Sequence, residues 1–421
     1  MLDFSDLPYQ FFPPKRNALI AWMIGLSNRW HRLPNTLKVD RVDVSGLEGL
    51  RSEQSRGSLG SRDRIIFLPN HPTHTDAAVF IEAIRQAGFS TQMMAAYDVF
   101  LRSRLDAWVM QKMGAFSVDR EGSDQRAMKQ AAAVLTQGKH ALTIFPEGNV
   151  YLRNDQVTPF NDGAAFLAIR AAKELSKQNI RVLAVPVSIK LTHLTDCRAI
   201  LSDLLEGLGT SLDVPAEPQD VSASPREAIV RVGVAAVRRN LTQRGLTPPD
   251  SDDLAELIEF SVGAVLDDLE TKLGTEPKQG CTLIDRVRSA RRVIHEVRTD
   301  EDRLADHAAA LTWADQAMLA FRICSYLPDY VAERPTLDRV SETIEKLGED
   351  VRGTMIEPIA LRRGLVRFNH PIPLDDYIGK GKRGRQAISD LTAACEASVQ
   401  KGVDELNNTN PHPGGKLWGE V

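Results

Sequence analysis

The 421-residue chain is short of several things, and each shortage removes a class of protein. Its four cysteines, Cys197, Cys281, Cys324 and Cys395, lie far apart and never form a Cys-x-x-Cys pair. That pattern builds neither a disulfide framework nor a zinc site and points to a reducing compartment. Long apolar runs are scarce as well. The longest near the N-terminus, Ala18 to Leu26, has nine residues, whereas a membrane span needs about twenty. Met1 to Gln10 is polar and holds two Asp, unlike a secretory leader. Seven of the nine histidines (31, 140, 193, 295, 307, 370 and 412) sit in no ligand-like spacing, so no metal is expected. Nothing directs the chain to nucleic acid. What remains, at 43% hydrophobic and 26% charged residues, is a soluble globular protein long enough for two or three domains.

The most informative stretch is Ile65-Ile-Phe-Leu-Pro-Asn-His-Pro-Thr-His-Thr-Asp76. An apolar run of this kind reads as a buried strand, and Ala77 to Ala87 reads as a helix with Thr75 or Asp76 placed to cap it. The turn between a strand and a helix is where an open α/β sheet carries its chemistry. His71 falls on that turn, and Asp76 at the helix start can fold back toward it. A carboxylate on one ring nitrogen fixes the tautomer and frees the other nitrogen to take a proton, which is the pattern of a general base with its orienter. His74 competes for the same carboxylate, and His71-x-x-His74-x-Asp76 superficially resembles a metal cluster.

Further strands are expected at Val39–Val44, ending at Gly46, and at Thr91–Tyr97, with a single helix over Val99–Met113. In Gly114-Ala-Phe-Ser-Val-Asp-Arg120, Phe116 and Val118 alternate as in a strand and Arg120 emerges at its end, where a guanidinium can grip a phosphate. Asp124–Gln137 reads as a helix. A second buried strand, Ala141–Phe145, ends in Pro146 and presents Glu147 and Gly148 on a turn. Two readings of Glu147 stand: a group facing substrate, or a carboxylate tied to neighbouring backbone N–H groups. Phe160–Lys173 continues as a helix. Arg181–Ile189 is a fourth apolar strand, and Pro186 inside it predicts a sheet edge or a bulge.

Asn70-His71-x4-Asp76, Gly114-Ala-Phe-x-Val-x-Arg120, Phe145-Pro-Glu-Gly148 and Val185-Pro-Val187 resemble, in order and spacing, the four blocks of the glycerolipid acyltransferases. The likeness is to 1-acylglycerol-3-phosphate (lysophosphatidic acid) acyltransferases. It covers roughly residues 8 to 197 and 362 to 407, where Gly364–Tyr377 is similar to the last strand of such domains. The resemblance implies transfer of a fatty acyl group from an acyl-CoA or acyl-carrier-protein thioester to a lysolipid hydroxyl, with no cofactor. His71 and Asp76 would be catalytic. Asn70, Gly114, Phe116, Arg120, Glu147, Gly148, Asn149, Arg153 and Pro186 would contact the substrates, Pro186 on the acyl-chain side. One departure concerns the acceptor: where the family has Gly-Thr-Arg, this chain has Gly148-Asn149-Val150. Arg153 could substitute for the missing Arg, or the acceptor could lack a phosphate.

The expected architecture is α/β: a mixed central sheet flanked by helices, formed by residues 1–197 and 362–406 and interrupted by a helical insertion at 198–361. Cys197 to Glu357 holds 19 basic and 30 acidic residues, so the two flanking pieces are jointly basic, which suits anionic lipid and an anionic donor. Leu254, Leu257, Ile258, Val265 and Leu269, and again Leu304, Leu311, Ala314, Met318 and Phe321, recur at helical spacing. Four to six helices are expected there, with core faces or, as the sharper reading, a docking face for acyl carrier protein. Val214–Pro225 reads as a flexible loop, and Lys380, Lys382, Arg383 and Arg385 as a basic one. Residues 407–421 read as a disordered tail. Between Lys15 and Arg41 lie six Lys or Arg with Leu19, Ile20, Trp22, Met23, Leu26 and Trp30. That segment either lies on an anionic membrane, which would make the protein peripheral on the cytoplasmic face, or packs on the domain's own core.

Overall fold

A computed structural model describes residues 9–50, 63–120, 124–214, 224–277, 279–327, 329–379 and 384–421. Most of residues 51–64, most of the loop expected at 214–225 and three of the four residues of the basic loop (380, 382 and 383) lie outside the described residues. The sheet has eight strands: β1 Val39–Ser45, β2 Arg64–Pro69, β3 Thr91–Ala96, β4 Ala115–Val118, β5 Ala141–Thr143, β6 Val182–His193, β7 Arg362–Phe368 and β8 Ile372–Pro373. Their order is β1-β7-β6-β2-β5-β3-β4, with β8 also on β6. Strands β2 to β6 run parallel, and β7 and β8 lie antiparallel to β6.

Alternation decides how the sheet is buried. Ile66 and Leu68 face one side, with Phe116 and Leu142, and are covered by α4 Gln125–Gln137, α5 Gly163–Leu175 and α12 Gly384–Asn408. Ile65 and Phe67 face the other side, under α2 Asp76–Ala87. Both faces are thus dry, as a largely parallel sheet requires. The helix expected over Val99–Met113 is broken. Tyr97–Leu101 makes one short turn, and α3 Arg104–Met113 starts afresh because the Ser103 hydroxyl accepts the Asp106 N–H as an N-cap. Ahead of the sheet, α1 Ala18–Ser27 packs on α3.

Pro186 is neither at an edge nor in a bulge, contrary to its expected place. It sits inside β6 in register with Leu68, flanked on both sides. Its carbonyl accepts the Asn369 N–H, so its missing donor faces the gap between β8, which pairs at Leu183–Ala184, and β7, which begins pairing at Val187. No ladder bond is lost where the neighbouring strand is itself interrupted.

Between β6 and β7 come α6 Arg198–Ser211, α7 Pro225–Gln243, α8 Leu254–Leu273, α9 Leu283–Thr299, α10 His307–Cys324 and α11 Leu337–Arg352. Among the described residues, short helical turns at Glu301–Asp306 and Tyr330–Glu333 accompany the six long helices. Helices α8, α9 and α10 share one apolar core, and α6, α7 and α11 share another. The insertion is joined to the sheet by charge. Lys190 of β6 is 1% exposed and pairs with Asp155 at 2.5 Å and with Asp338 of α11 at 3.4 Å. Arg339 completes the cluster on Asp155 at 2.8 Å. Burial would raise the Asp155 pKa, but the two cations hold it at about 2.

The tail expected to be disordered is instead packed. Trp418 is buried with Leu201, Leu205 and Leu337, and the Leu337 N–H donates to the Lys416 carbonyl. The mostly polar stretch 407–421 holds one Trp, and that one side chain carries enough apolar area to fix it.

Candidate active site

The two anchor stretches leave the sheet side by side, because β2 and β5 are parallel neighbours with Phe67 opposite Thr143. Their C-terminal ends therefore bring His71 and Glu147 to one edge, and the ends of β3 and β4 add Asp98 and Arg120.

Asp76 opens α2 with its side chain wholly buried, and its Oδ2 meets His71 Nδ1 at 2.7 Å. The same oxygen accepts the Thr73 N–H at 3.3 Å. The His71 ring lies against Phe145, with centroids 4.6 Å apart, and keeps 24% of the side chain exposed. No described residue hydrogen-bonds its Nε2. Burial pulls the His71 pKa down, but the Asp76 carboxylate, as charge and as acceptor, outweighs it, with help from Glu147. The ring is therefore more basic than an ordinary histidine. His74 has turned away: its Nε2 meets Glu349 of α11 at 3.3 Å, which leaves Asp76 to His71.

Glu147 is 3% exposed, with Oε1 accepting the His71 backbone N–H at 2.6 Å and Oε2 accepting the Thr158 N–H at 3.1 Å. Of the two readings of this residue, the tie to backbone N–H groups is the one observed. Burial raises its pKa against those bonds. It pins the loop that carries the ring to the loop around Thr158.

Arg120 is fixed between turns. It donates to Asn149 Oδ1 at 2.7 Å and to the Gly148 carbonyl at 3.3 Å, and pairs with Asp98 at 2.9 Å. Gly148 has φ +77°, a left-handed conformation that presents its carbonyl to Arg120 and suits glycine. The Arg120 charge opposes protonation of His71, so it lies within electrostatic reach of the ring. Arg153 is placed elsewhere, on Thr158 Oγ1 at 3.1 Å and over the Tyr151 ring.

Four residues expected to touch substrate are given to the fold. Asn70 is 2% exposed, and its side-chain amide exchanges two hydrogen bonds with the backbone of Ile189, extending the β2–β6 ladder past Pro69. Phe116 is wholly buried in the sheet core. Pro186 is buried inside β6. Gly114 precedes β4, at the opposite end of the strands from His71, where its φ of +99° closes α3. Motif residues of strand and turn type serve geometry first, which composition cannot reveal.

The sequence reading missed Asp98, which holds Arg120, and Thr158, which shares Glu147. An acid at the end of a strand was the available signal for Asp98; none marked Thr158. It also missed how closely the insertion approaches this edge. His295 of α9 meets Asp119 at 3.0 Å, and Glu349 reaches His74.

Residues 41–190 match the family model described as Acyltransferase, a span that runs from β1 into β6 and contains His71, Asp76, Arg120 and Glu147. An acyltransferase family domain therefore occupies this part of the chain, and acyl transfer is the chemistry it suggests. A comparison with curated proteins finds no match.

Proposed function

We propose that the protein moves a fatty acyl group from an acyl thioester to the free hydroxyl of a lysophospholipid such as 1-acylglycerol-3-phosphate. The observation that carries this reading is the 2.7 Å contact between His71 Nδ1 and buried Asp76, which leaves Nε2 available at a partly open edge of the sheet. Nε2 takes the acceptor hydroxyl proton as that oxygen attacks the thioester carbonyl. The C–O bond forms, the C–S bond breaks, and the imidazolium returns the proton to the departing thiolate. Asp76 steadies the positive ring, and no acyl-enzyme is required.

Arg120 is the group we assign to the acceptor's phosphate, in exchange for its bond to Asp98. A second reading, an acceptor without a terminal phosphate, is favoured by the Asn149-Val150 turn, which brings no cation of its own while Arg153 stays on Thr158. The donor is an acyl-CoA or acyl-carrier-protein thioester. No described helix is long and apolar enough to cross a membrane. Docking on the cytoplasmic membrane face is supported by the surface of α1, the helical stretch Asn28–Thr36 after it and α3, where Leu19, Trp22, Met23, Trp30, Leu105 and Trp108 are exposed. Lys15, Arg29, Arg32, Arg102 and Arg104 are exposed among them.

Labelled acyl-CoA and acyl-carrier-protein donors, offered to purified protein with a panel of phosphorylated and unphosphorylated lysolipids, test the reading by product mass. Wild type forms the diacyl product and His71→Ala loses at least a thousandfold in rate. Near-normal turnover by a folded His71→Ala protein would refute the assigned base.

A further inference from the structure

An apolar cavity lies in the insertion, and no residue of 41–190 lines it. It encloses about 1120 Å³, open mouth included, between α7, α8, α10 and α11. Its walls are mostly aliphatic, with Ile229, Val237, Ile258, Leu319 and Leu347 among them. The Arg244–Asp315 pair marks one end, and because the Asp315 side chain is 73% exposed, that end faces solvent.

A second cavity adjoins it on the side of His74. Met318, Arg322 and Asp350 line the first cavity and also this second one of about 380 Å³. The second cavity is lined by His74, three residues from the base, and by Tyr151, three from Gly148. Its lining mixes apolar walls with charge: Lys346, held on Ser325 Oγ at 2.6 Å, and Glu349. The ion pair of Arg322 with Asp350 and the flexible Met318 side chain thus border both spaces.

We infer that the insertion houses a long-chain acyl tail, its polar end in the small cavity beside His74 and its methylenes running past Met318 into the apolar cavity. This rests on the acyl-transfer reading of the site and gives the insertion a part in it, as the element that measures chain length. The tail has two possible sources, the donor thioester or the acyl chain already on the acceptor. Each buried methylene strengthens binding about fourfold, so selection for length is steep until the cavity is full.

The test fills the cavity. Ala236→Phe replaces a buried lining residue, and Val230→Trp a half-buried one, should the first lower the melting midpoint. Binding of a fluorescent C18 fatty acid is measured first, with no need for turnover. Wild type binds it and displaces it with C16 far better than with C8 fatty acid, and the filled variant loses at least tenfold for C16 while C8 is unchanged. In the kinetic arms, chain length is varied on the thioester with the acceptor fixed, then on the acceptor with the thioester fixed. The filled variant shortens the preferred chain in one arm, which names the source. A filled variant that melts like wild type yet keeps the wild-type affinity for C16 and both chain-length profiles overturns the inference. If no acceptor is turned over at all, the proposed activity falls, and the fatty-acid binding series alone decides for or against the cavity.

Discussion

Asp76→Asn isolates the electrostatic half of the proposed mechanism. The carboxylate has one oxygen, Oδ2, facing both His71 Nδ1 and the Thr73 N–H, while Oδ1 is buried with no hydrogen-bond partner. An amide can enter in two ways. With its oxygen at the Oδ2 position it keeps both bonds and the correct tautomer, but its NH2 then occupies a buried place without an acceptor, costing about 1–3 kcal/mol of stability. Flipped, it donates to Nδ1, forces the proton onto Nε2 and disables the base. In either arrangement the charge that supports the imidazolium is gone. Two unit charges about 4 Å apart at an effective dielectric near 20 interact by about 4 kcal/mol, roughly three powers of ten in rate. The expected fall in kcat is thus on the order of 10³, with KM little changed.

The pH profile supplies a second, independent reading of the same variant. His71 works as a base only when neutral, and Asp76 holds its pKa above the ordinary value, so wild-type activity falls as pH drops through that raised pKa. Without the carboxylate, burial and the Arg120 charge act to lower the pKa, and the acid limb of the residual activity moves to lower pH. The assay is thiol release from an acyl thioester in the presence of lysolipid, followed from about pH 4.5 to 8.5, roughly two units either side of an ordinary imidazole. A variant within tenfold of wild type, with its acid limb unmoved, would refute the role given to Asp76.

Glu147→Ala leaves the N–H groups of His71 and Thr158 buried and unpaired, so we expect a loss of roughly 2–6 kcal/mol in denaturant unfolding, together with activity; unfolding within 1 kcal/mol of wild type would argue against the clamp. His74→Ala removes a contact to Glu349 and one wall of the small cavity, not the base, and should cost less than tenfold in kcat. If it is as inactive as His71→Ala, the base has been assigned to the wrong ring. Trp22→Ala combined with Trp30→Ala should reduce sedimentation with anionic vesicles by at least tenfold while leaving turnover of detergent-dispersed substrate intact. Equal sedimentation would remove α1 from the membrane surface.

The parts of the fold that could be read in advance are those governed by local pattern. Ile65 to Leu68 announced a strand buried on both faces, and the five-residue separation of His71 and Asp76 placed both on one strand-to-helix turn. Long-range pairing was not legible. Pro186 argued for an edge because nothing local says that β7 and β8 leave a gap opposite it. The strand expected over Arg181–Ile189 runs on to His193, because the partners that bury Lys190 and His193, Asp155 and Asp338, are distant in sequence. The candidate base was found from its own neighbours, whereas the duties of Asn70 and Glu147 depend on backbone atoms more than seventy residues away.

β6 and β7 are antiparallel neighbours that a two-residue turn could join, yet 168 residues separate His193 from Arg362. Cutting that excursion down to a tight hairpin would preserve the hydrogen-bond register and still ruin the protein, because Lys190 and Asp155 would lose the partners that α11 brings. The graft has been wired into its host. Any shortened descendant would first have to neutralise the interior of the strand it departs from.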